Sequence, residues 1–287
     1  MRALGIFAGA AVTGALAVRI ARSRHRRILH PDGRSFTGEL EIWGLDRPIG
    51  STLVDRPGRY PVTVRISKGG GTRPGRRDVL GVALRVGGSC DLLLSTMGNG
   101  RLLRHLPVPR AGFDTRYGSI LAYRTGTGSK VYLDAEPDPA GPSLGPTLGS
   151  VTAAAGTGAR LLLGVFDEDR IRADGSGRSP HIDGRHSGDG GGSRVGSSTS
   201  EDSSTSAGGQ GAGFRPFGMV AFGTPLPAAV DAALAFDPIR NAPADLYPTG
   251  VIHRLRAIAY PLSQRWRHAR PDQLGPLSTK VTAATRP

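Results

Sequence analysis

Apolar and polar residues alternate through much of the first half of the chain. Between residues 35 and 43, Leu40 and Ile42 fall on one face and Glu39 and Glu41 on the other. That period of two marks a half-buried strand. Residues 61–67 repeat it, with Val62, Val64 and Ile66 set against Thr63, Arg65 and Ser67. Gly69-Gly70-Gly71 and Pro74-Gly75 then signal a loop. Further strands are predicted at 79–86 and 90–96. After a Pro-rich turn at 107–111 come two more, at 117–124 and 130–136, joined by Thr125-Gly126-Thr127-Gly128. Residues 158–172 read as a strand with an exposed end, and 215–226 as the last strand. Closely spaced strands with Gly-rich turns predict an antiparallel barrel. Parallel crossovers would need helical segments that this pattern lacks.

The pattern changes twice toward the C-terminus. Residues 173–213 are Gly, Ser, Thr and Asp with almost no apolar side chains. Such a stretch cannot bury enough surface to order itself, so a flexible insertion is predicted, with His181 and His186 incidental to it. Residues 227–235 read as a short helix after Pro227. Residues 250–268 read as a longer one, with Ile252, Leu255, Ala259 and Leu262 at helical spacing. The resulting organisation is an apolar and basic segment at 1–23, one α+β domain from 24–172 and 214–270, the insertion at 173–213, and a polar tail at 271–287. The domain is an antiparallel β-barrel with C-terminal helices. A chain of 287 residues is long enough to bury a substantial core.

Candidate chemistry sits at the two ends of this domain. On the predicted C-terminal helix, Arg256 and Tyr260 are four residues apart and share a face. An arginine beside a tyrosine favours the phenolate, and tyrosinate is one of the few side chains that hold haem iron. At the other end stands Arg27-Ile28-Leu29-His30, followed by Gly33. In this order the two segments resemble the haem catalase superfamily. The resemblance continues collinearly through Thr63-Val64-Arg65-Ile66-Ser67, Arg77-Asp78, Gly81-Val82-Ala83-Leu84-Arg85, Asp91-Leu92, Tyr117-Gly118-Ser119, Val131-Tyr132 and Phe236-Asp237-Pro238. It implies haem as cofactor, with Tyr260 as the metal ligand and Arg256 holding it as phenolate. It implies Arg27, Arg65 and Arg267 as partners of the haem propionates. His30 becomes the distal acid/base, with Ser67 accepting a hydrogen bond from it. The distal asparagine of true catalases falls on Ser95, next to Thr96. The aromatic residues that follow it there are replaced by Met97-Gly98-Asn99-Gly100. The chain is shorter than a full catalase and is more similar to small, divergent bacterial catalase-like proteins, some of them labelled phosphodiesterase. The implied activity is peroxidase-like, on hydrogen peroxide or an organic hydroperoxide.

Composition sharpens this picture at the edges. Lys and Arg number 37 against 23 Asp and Glu, a formal charge of +14. Such a surface attracts anions, whether acidic lipid, nucleic acid or haem propionates. The arginines concentrate at 19–27, in the loop 68–77 and at 254–270. Two tryptophans and 6% aromatics, with no base-stacking motif, argue against nucleic acid as a partner. Cys90, the only cysteine, excludes an intrachain disulfide and a multi-thiolate zinc site, and reads as a small strand residue. The apolar run 3–18, followed by Arg19, Arg22, Arg24, Arg26 and Arg27, is short for a membrane span. If it inserts, the arginines stay inside, which places the domain on the cytoplasmic face of the membrane; otherwise it is an N-terminal helix of a cytoplasmic protein. Two other functions remain open: a haem-free catalase-fold scaffold at the membrane surface, and a metal-dependent phosphodiesterase. For the latter, His30-Pro31-Asp32 and His105 are the suggestive pieces, and no HxxxE or paired HD motif accompanies them.

Overall fold

The alternating segments become strands, and the strands close on themselves. A computed structural model describes residues 30–98, 103–167 and 213–249. In chain order the strands are β1 (Asp32–Ile42), β2 (Gly58–Lys68), β3 (Leu80–Val86), β4 (Cys90–Thr96), β5 (Tyr117–Gly118), β6 (Tyr123–Thr125), β7 (Lys130–Pro137), β8 (Arg160–Asp167), β9 (Phe214–Pro225) and β10 (Leu246–Pro248). Hydrogen bonding runs β7-β5-β4-β3-β2-β1-β9-β8 and returns from β8 to β7. Eight strands therefore form a closed antiparallel barrel, and β6 and β10 extend from β7 as a flap. Closure gives every barrel strand a neighbour on both sides, although β4 meets β5 only at Ser95 and Thr96. Register shifts between Phe36 and Gly38 and between Leu163 and Gly164 mark the bulges that bend the wall.

The two-residue period decides which side chains fill the barrel. Phe36, Leu40, Val62, Val64, Ile66, Val82, Leu84, Leu92, Leu94, Leu133, Leu161 and Leu163 join one buried cluster. Their neighbours along each strand point outward. Among the described residues three short helices complete the α+β fold: α1 (Thr52–Asp55), α2 (Leu148–Gly156) and α3 (Ala228–Ala233). In α2 a Thr147–Ser150 capping box closes the N-terminus, and Val151, Ala154 and Ala155 bury against the core.

Besides the one-turn α1, which no sequence pattern announces, three elements differ from the sequence expectation. The single strand expected at 117–124 is two, β5 and β6, because Ser119 turns in to bond Leu133: its N–H donates to the Leu133 carbonyl at 2.7 Å, and its hydroxyl accepts from Leu133 N at 3.0 Å. Helix α2 lies in a Gly-rich stretch with no helical signal. Strand β10 is three residues ending in proline and exists only through its pairing with β6. The expected helix at 250–268, the insertion at 173–213 and the N-terminal segment at 1–23 lie outside the described residues, apart from Gly213. Among the described residues no helix is long and apolar enough to cross a membrane.

Candidate functional site

The outer face of the barrel carries the candidate site. Strand register sets Gly33 of β1, Ser67 of β2, Gly81 of β3, Ser95 of β4, Gly118 of β5 and Asp134 of β7 beside one another in a single row. All six lie on the face opposite the core stripe. A second row above it holds Ser35, Arg65, Ala83 and Leu93.

His30 sits over the first row. It is the only described non-glycine residue in the left-handed backbone region, with φ of 57°. Its N–H donates to the Gly69 carbonyl at 3.3 Å, and Gly69 N–H donates in turn to Val79 at 2.6 Å. Loop 69–78 thus fixes the histidine backbone. The loop is itself held by Asp78, whose carboxylate accepts from Gly70 N at 2.6 Å and Thr72 N at 2.9 Å. Burial raises the Asp78 pKa, but the N–H groups of Thr72 and Gly70 outweigh it and hold it below the usual value. Lys68 Nζ ties the same loop from the other side, donating to the carbonyls of Thr72, Arg73 and Arg76 at 2.9 to 3.4 Å.

The imidazole is oriented by two residues of the row. Ser67 Oγ lies 2.9 Å from His30 Nδ1 and 3.4 Å from the Gly81 carbonyl. If the serine proton goes to that carbonyl, the serine oxygen accepts from Nδ1–H and makes Nε2 the basic nitrogen. Gly81 makes room for the ring, since a Cβ there would stand 2.7 Å from Nδ1. Ser95 donates to the Leu80 carbonyl at 3.2 Å, so its hydroxyl is turned into the wall and only its lone pairs face out. Its neighbour Thr96 faces the core instead, donating to Val108 at 2.7 Å.

Arg65 is buried beside this arrangement. Gly33 seats its guanidinium, because a Cβ there would meet Nη2 at 2.7 Å. Nη1 pairs with Asp231 of α3 and lies 3.4 Å from Ser35 Oγ, and Ser35 donates to the same Asp231 oxygen at 2.5 Å. Burial depresses the Arg65 pKa, and Asp231 opposes that by favouring the charged form. The Nε–H of Arg65 is buried with no hydrogen-bond partner. Helix α3 is held in place by the segment that follows it. Asp91 takes a bidentate bond from Arg85, at 2.7 and 2.8 Å, and accepts Asp237 N and Asn241 Nδ2 at 2.7 and 2.8 Å. Phe236 lies against the Arg85 guanidinium, 5.1 Å from its ring centre. The Phe236-Asp237-Pro238 segment is therefore clamped to the barrel wall.

The row ends at a different kind of site. Asp134 is 1% exposed and bonds both Arg104, at 3.3 Å, and Arg116. The Arg104 guanidinium stacks 3.8 Å from the Tyr132 ring centre and 4.9 Å from that of Phe166. His105 next to it bonds the Ile120 carbonyl through Nδ1 at 3.0 Å.

The structure thus brings His30, Ser67, Ser95 and Arg65 to one stretch of outer wall. Arg27, Arg256, Tyr260 and Arg267 lie outside the described residues. His105 belongs to the Asp134 end, away from His30-Pro31-Asp32. Among the described residues no group of three or more His, Cys, Asp or Glu side chains is placed to hold a metal ion. Cys90 is half-buried, and desolvation pushes its thiol up to about 12, which leaves it unreactive at neutral pH. Sequence reasoning missed Asp231. It lies on a six-residue helix 166 positions from Arg65, and nothing in the local pattern distinguishes it from a surface acid.

No protein-family model and no curated protein matches the chain. Solved structures do. Catalase A from Saccharomyces cerevisiae superposes with a TM-score of 0.52 at 13% identity, over 89% of this chain and 64% of that one. A fungal catalase superposes with a TM-score of 0.54 at 14% identity, over 88% of this chain and 62% of that one. The chain spans less than two thirds of the length of either. At such identity the likeness establishes architecture: an α+β chain with a catalase-like barrel.

Proposed function

We propose that this protein binds haem and carries out peroxidase-like or weak catalase-like chemistry on hydrogen peroxide or an organic hydroperoxide. The observation that carries the reading is the seating of His30. A left-handed backbone, a Ser67 contact on Nδ1 and a glycine beneath the ring hold one imidazole in a set orientation on the outer wall. Two further features fit an anionic planar ligand there. Gly33 leaves space that the Arg65 guanidinium enters, and Arg65 keeps a buried, unspent Nε–H. On the described side the ligand would rest against His30 and Arg65. From beyond the described residues, Tyr260 would supply the metal ligand, Arg256 its charge partner, and Arg27 and Arg267 further propionate contacts.

When bound, the haem iron supplies the redox chemistry that cleaves the peroxide O–O bond. The work of this chain is proton handling. His30 Nε2 takes the proton from one peroxide oxygen and returns it to the other as the bond breaks. Ser67 keeps the ring in the tautomer that can do so. Ser95 offers no amide donor, so peroxide is held less firmly than by an asparagine, and turnover is slower. The shorter side chain also widens the space beside His30, which suits a bulkier hydroperoxide.

A visible absorption titration of the full chain with hemin tests the reading. The expected result is a saturable Soret band that is lost in Tyr260→Phe. A folded protein that gives no band would end it. Fast turnover of hydrogen peroxide, with none of a fatty-acid hydroperoxide, would overturn the wider-pocket part alone.

A further inference from the structure

Arg65 is a buried cation on β2, two residues before the Ser67 that contacts His30, yet the protein has already given it a counter-ion. Asp231 occupies Nη1, and Ser35 donates to the same carboxylate oxygen at 2.5 Å, which fixes that carboxylate against the guanidinium. Both side chains are nearly out of solvent, at 5% and 12% exposure, so their charges act on each other with little screening. Asp231 offsets the Arg65 charge at this corner, with Arg34 and Asp32 acting on it as well, while the Arg65 Nε–H edge remains without a hydrogen-bond partner. A ligand carboxylate arriving there meets a donor on Arg65 and is repelled by Asp231 at short range.

We infer that Asp231 is a specificity-determining residue: it competes with the ligand's own carboxylate for Arg65 and so weakens the preference of the site for a carboxylate-bearing porphyrin over its neutral ester. The inference rests on the haem reading above. It makes haem affinity in this chain depend less on the propionate at Arg65 and more on contact with the barrel wall.

The test compares hemin with hemin dimethyl ester on the full chain, by Soret titration. Asp231→Asn removes the competing charge and keeps an acceptor for Ser35 and Arg65. The expected result is about a tenfold rise in the ratio of hemin to ester affinity, the scale of one charge-assisted hydrogen bond released to the ligand. Ester affinity should stay within about threefold, since the ester carries no charge for Asp231 to repel. Ser35→Ala, which unfastens Asp231 and leaves its charge, should move the ratio the same way by a smaller factor, and it decides the matter if Asp231→Asn does not fold. An unchanged ratio in folded variants with normal Soret bands overturns the role of Asp231 and leaves the haem reading standing. Absence of a Soret band in the unaltered protein ends both.

Discussion

One row of outward residues links two sites that surround buried charge in opposite ways. At the Asp134 end, a fully buried carboxylate receives two guanidinium groups, and Tyr132 and Phe166 stack against them. Arg116 reaches a second carboxylate as well, with Nε 3.4 Å from Glu136. Acids and bases are matched there, and large rings fill the surrounding space. At the His30 end the same row is glycine and serine. The glycines seat an imidazole and a guanidinium, and among the described residues no aromatic ring stacks on Arg65. The barrel wall therefore packs bulky rings over its charge where structure alone is served. An unpaired guanidinium Nε–H is common to both ends, since Arg104 and Arg116 carry one as Arg65 does; the small side chains and the seats they leave mark the end of the row where a ligand is expected.

The sharpest way to break the comparison is to cut each end. Asp134→Ala strands Arg104 and Arg116 under the aromatic rings, and removing one partner of a buried ion pair costs about 3–5 kcal/mol. Urea unfolding should show that loss, with haem binding by the surviving folded fraction unchanged. A loss below about 1 kcal/mol would mean the Asp134 cluster is not the structural end.

Asp78→Asn loosens the loop behind His30 without touching the ring. It should cost about 1–3 kcal/mol at neutral pH, the scale of charged hydrogen bonds to buried N–H groups. The pH dependence follows from the depressed pKa. Asp78 contributes stability above the ordinary carboxylate range, and that contribution disappears as pH falls through its lower folded value. The gap between the unaltered protein and Asp78→Asn should therefore begin to close below about pH 4 and narrow progressively as the pH falls further. A gap that does not shrink at all as the pH falls below about 4, read by chemical denaturation, would show that the carboxylate charge is not what holds the loop.

Gly81→Ala acts on the His30 ring and, more lightly, on the Ser67 hydroxyl that orients it. The backbone there does not need glycine, because Gly81 is not among the positive-φ positions, but the new methyl would collide with the His30 imidazole. Peroxidase activity should fall at least about tenfold, with the Soret band and thermal stability nearly unchanged, as expected when a general acid/base is misplaced. Activity within about twofold of the unaltered protein would remove His30 from the chemistry, since a positioned proton donor contributes at least about a hundredfold.

Much of the wall is legible from strand period and turn residues, and the reasons for what is not are local. Val62, Val64 and Ile66 announce β2 and its inward face, so the period alone sends Arg65 and Ser67 outward, where they stand. The contact between Ser67 and His30 follows from no period; only the collinear resemblance sets those two residues side by side. Asp231 is invisible in the sequence, since its partner is fixed by tertiary packing rather than by spacing. Helix α2 hides in a glycine-rich stretch, Leu148–Gly156 flanked by Gly145 and Gly158, where propensity is low and the capping box and core contacts decide. The Asp134 cluster escapes because Arg104 and Arg116 come from segments between strands that no periodicity describes.

Ser95 gives the smallest effect and the finest test of where the row changes character. Its hydroxyl donates to Leu80 at 3.2 Å on a half-buried stretch of wall, so Ser95→Ala should shift stability by less than about 1 kcal/mol. Ser95→Asn is the informative change. It restores an amide at the position that resembles the distal asparagine, two strands from Ser67 across Gly81. If weak hold on peroxide limits turnover, Ser95→Asn should raise kcat/KM for hydrogen peroxide about tenfold and lower it for a bulky hydroperoxide, because the amide adds a donor and takes up space at once. Steady-state assays on both substrates separate the two effects. A parallel rise on both would mean that the side chain adds a hydrogen bond without narrowing the site, and a fall on both would mean that Ser95 already faces the peroxide in the geometry the chemistry uses.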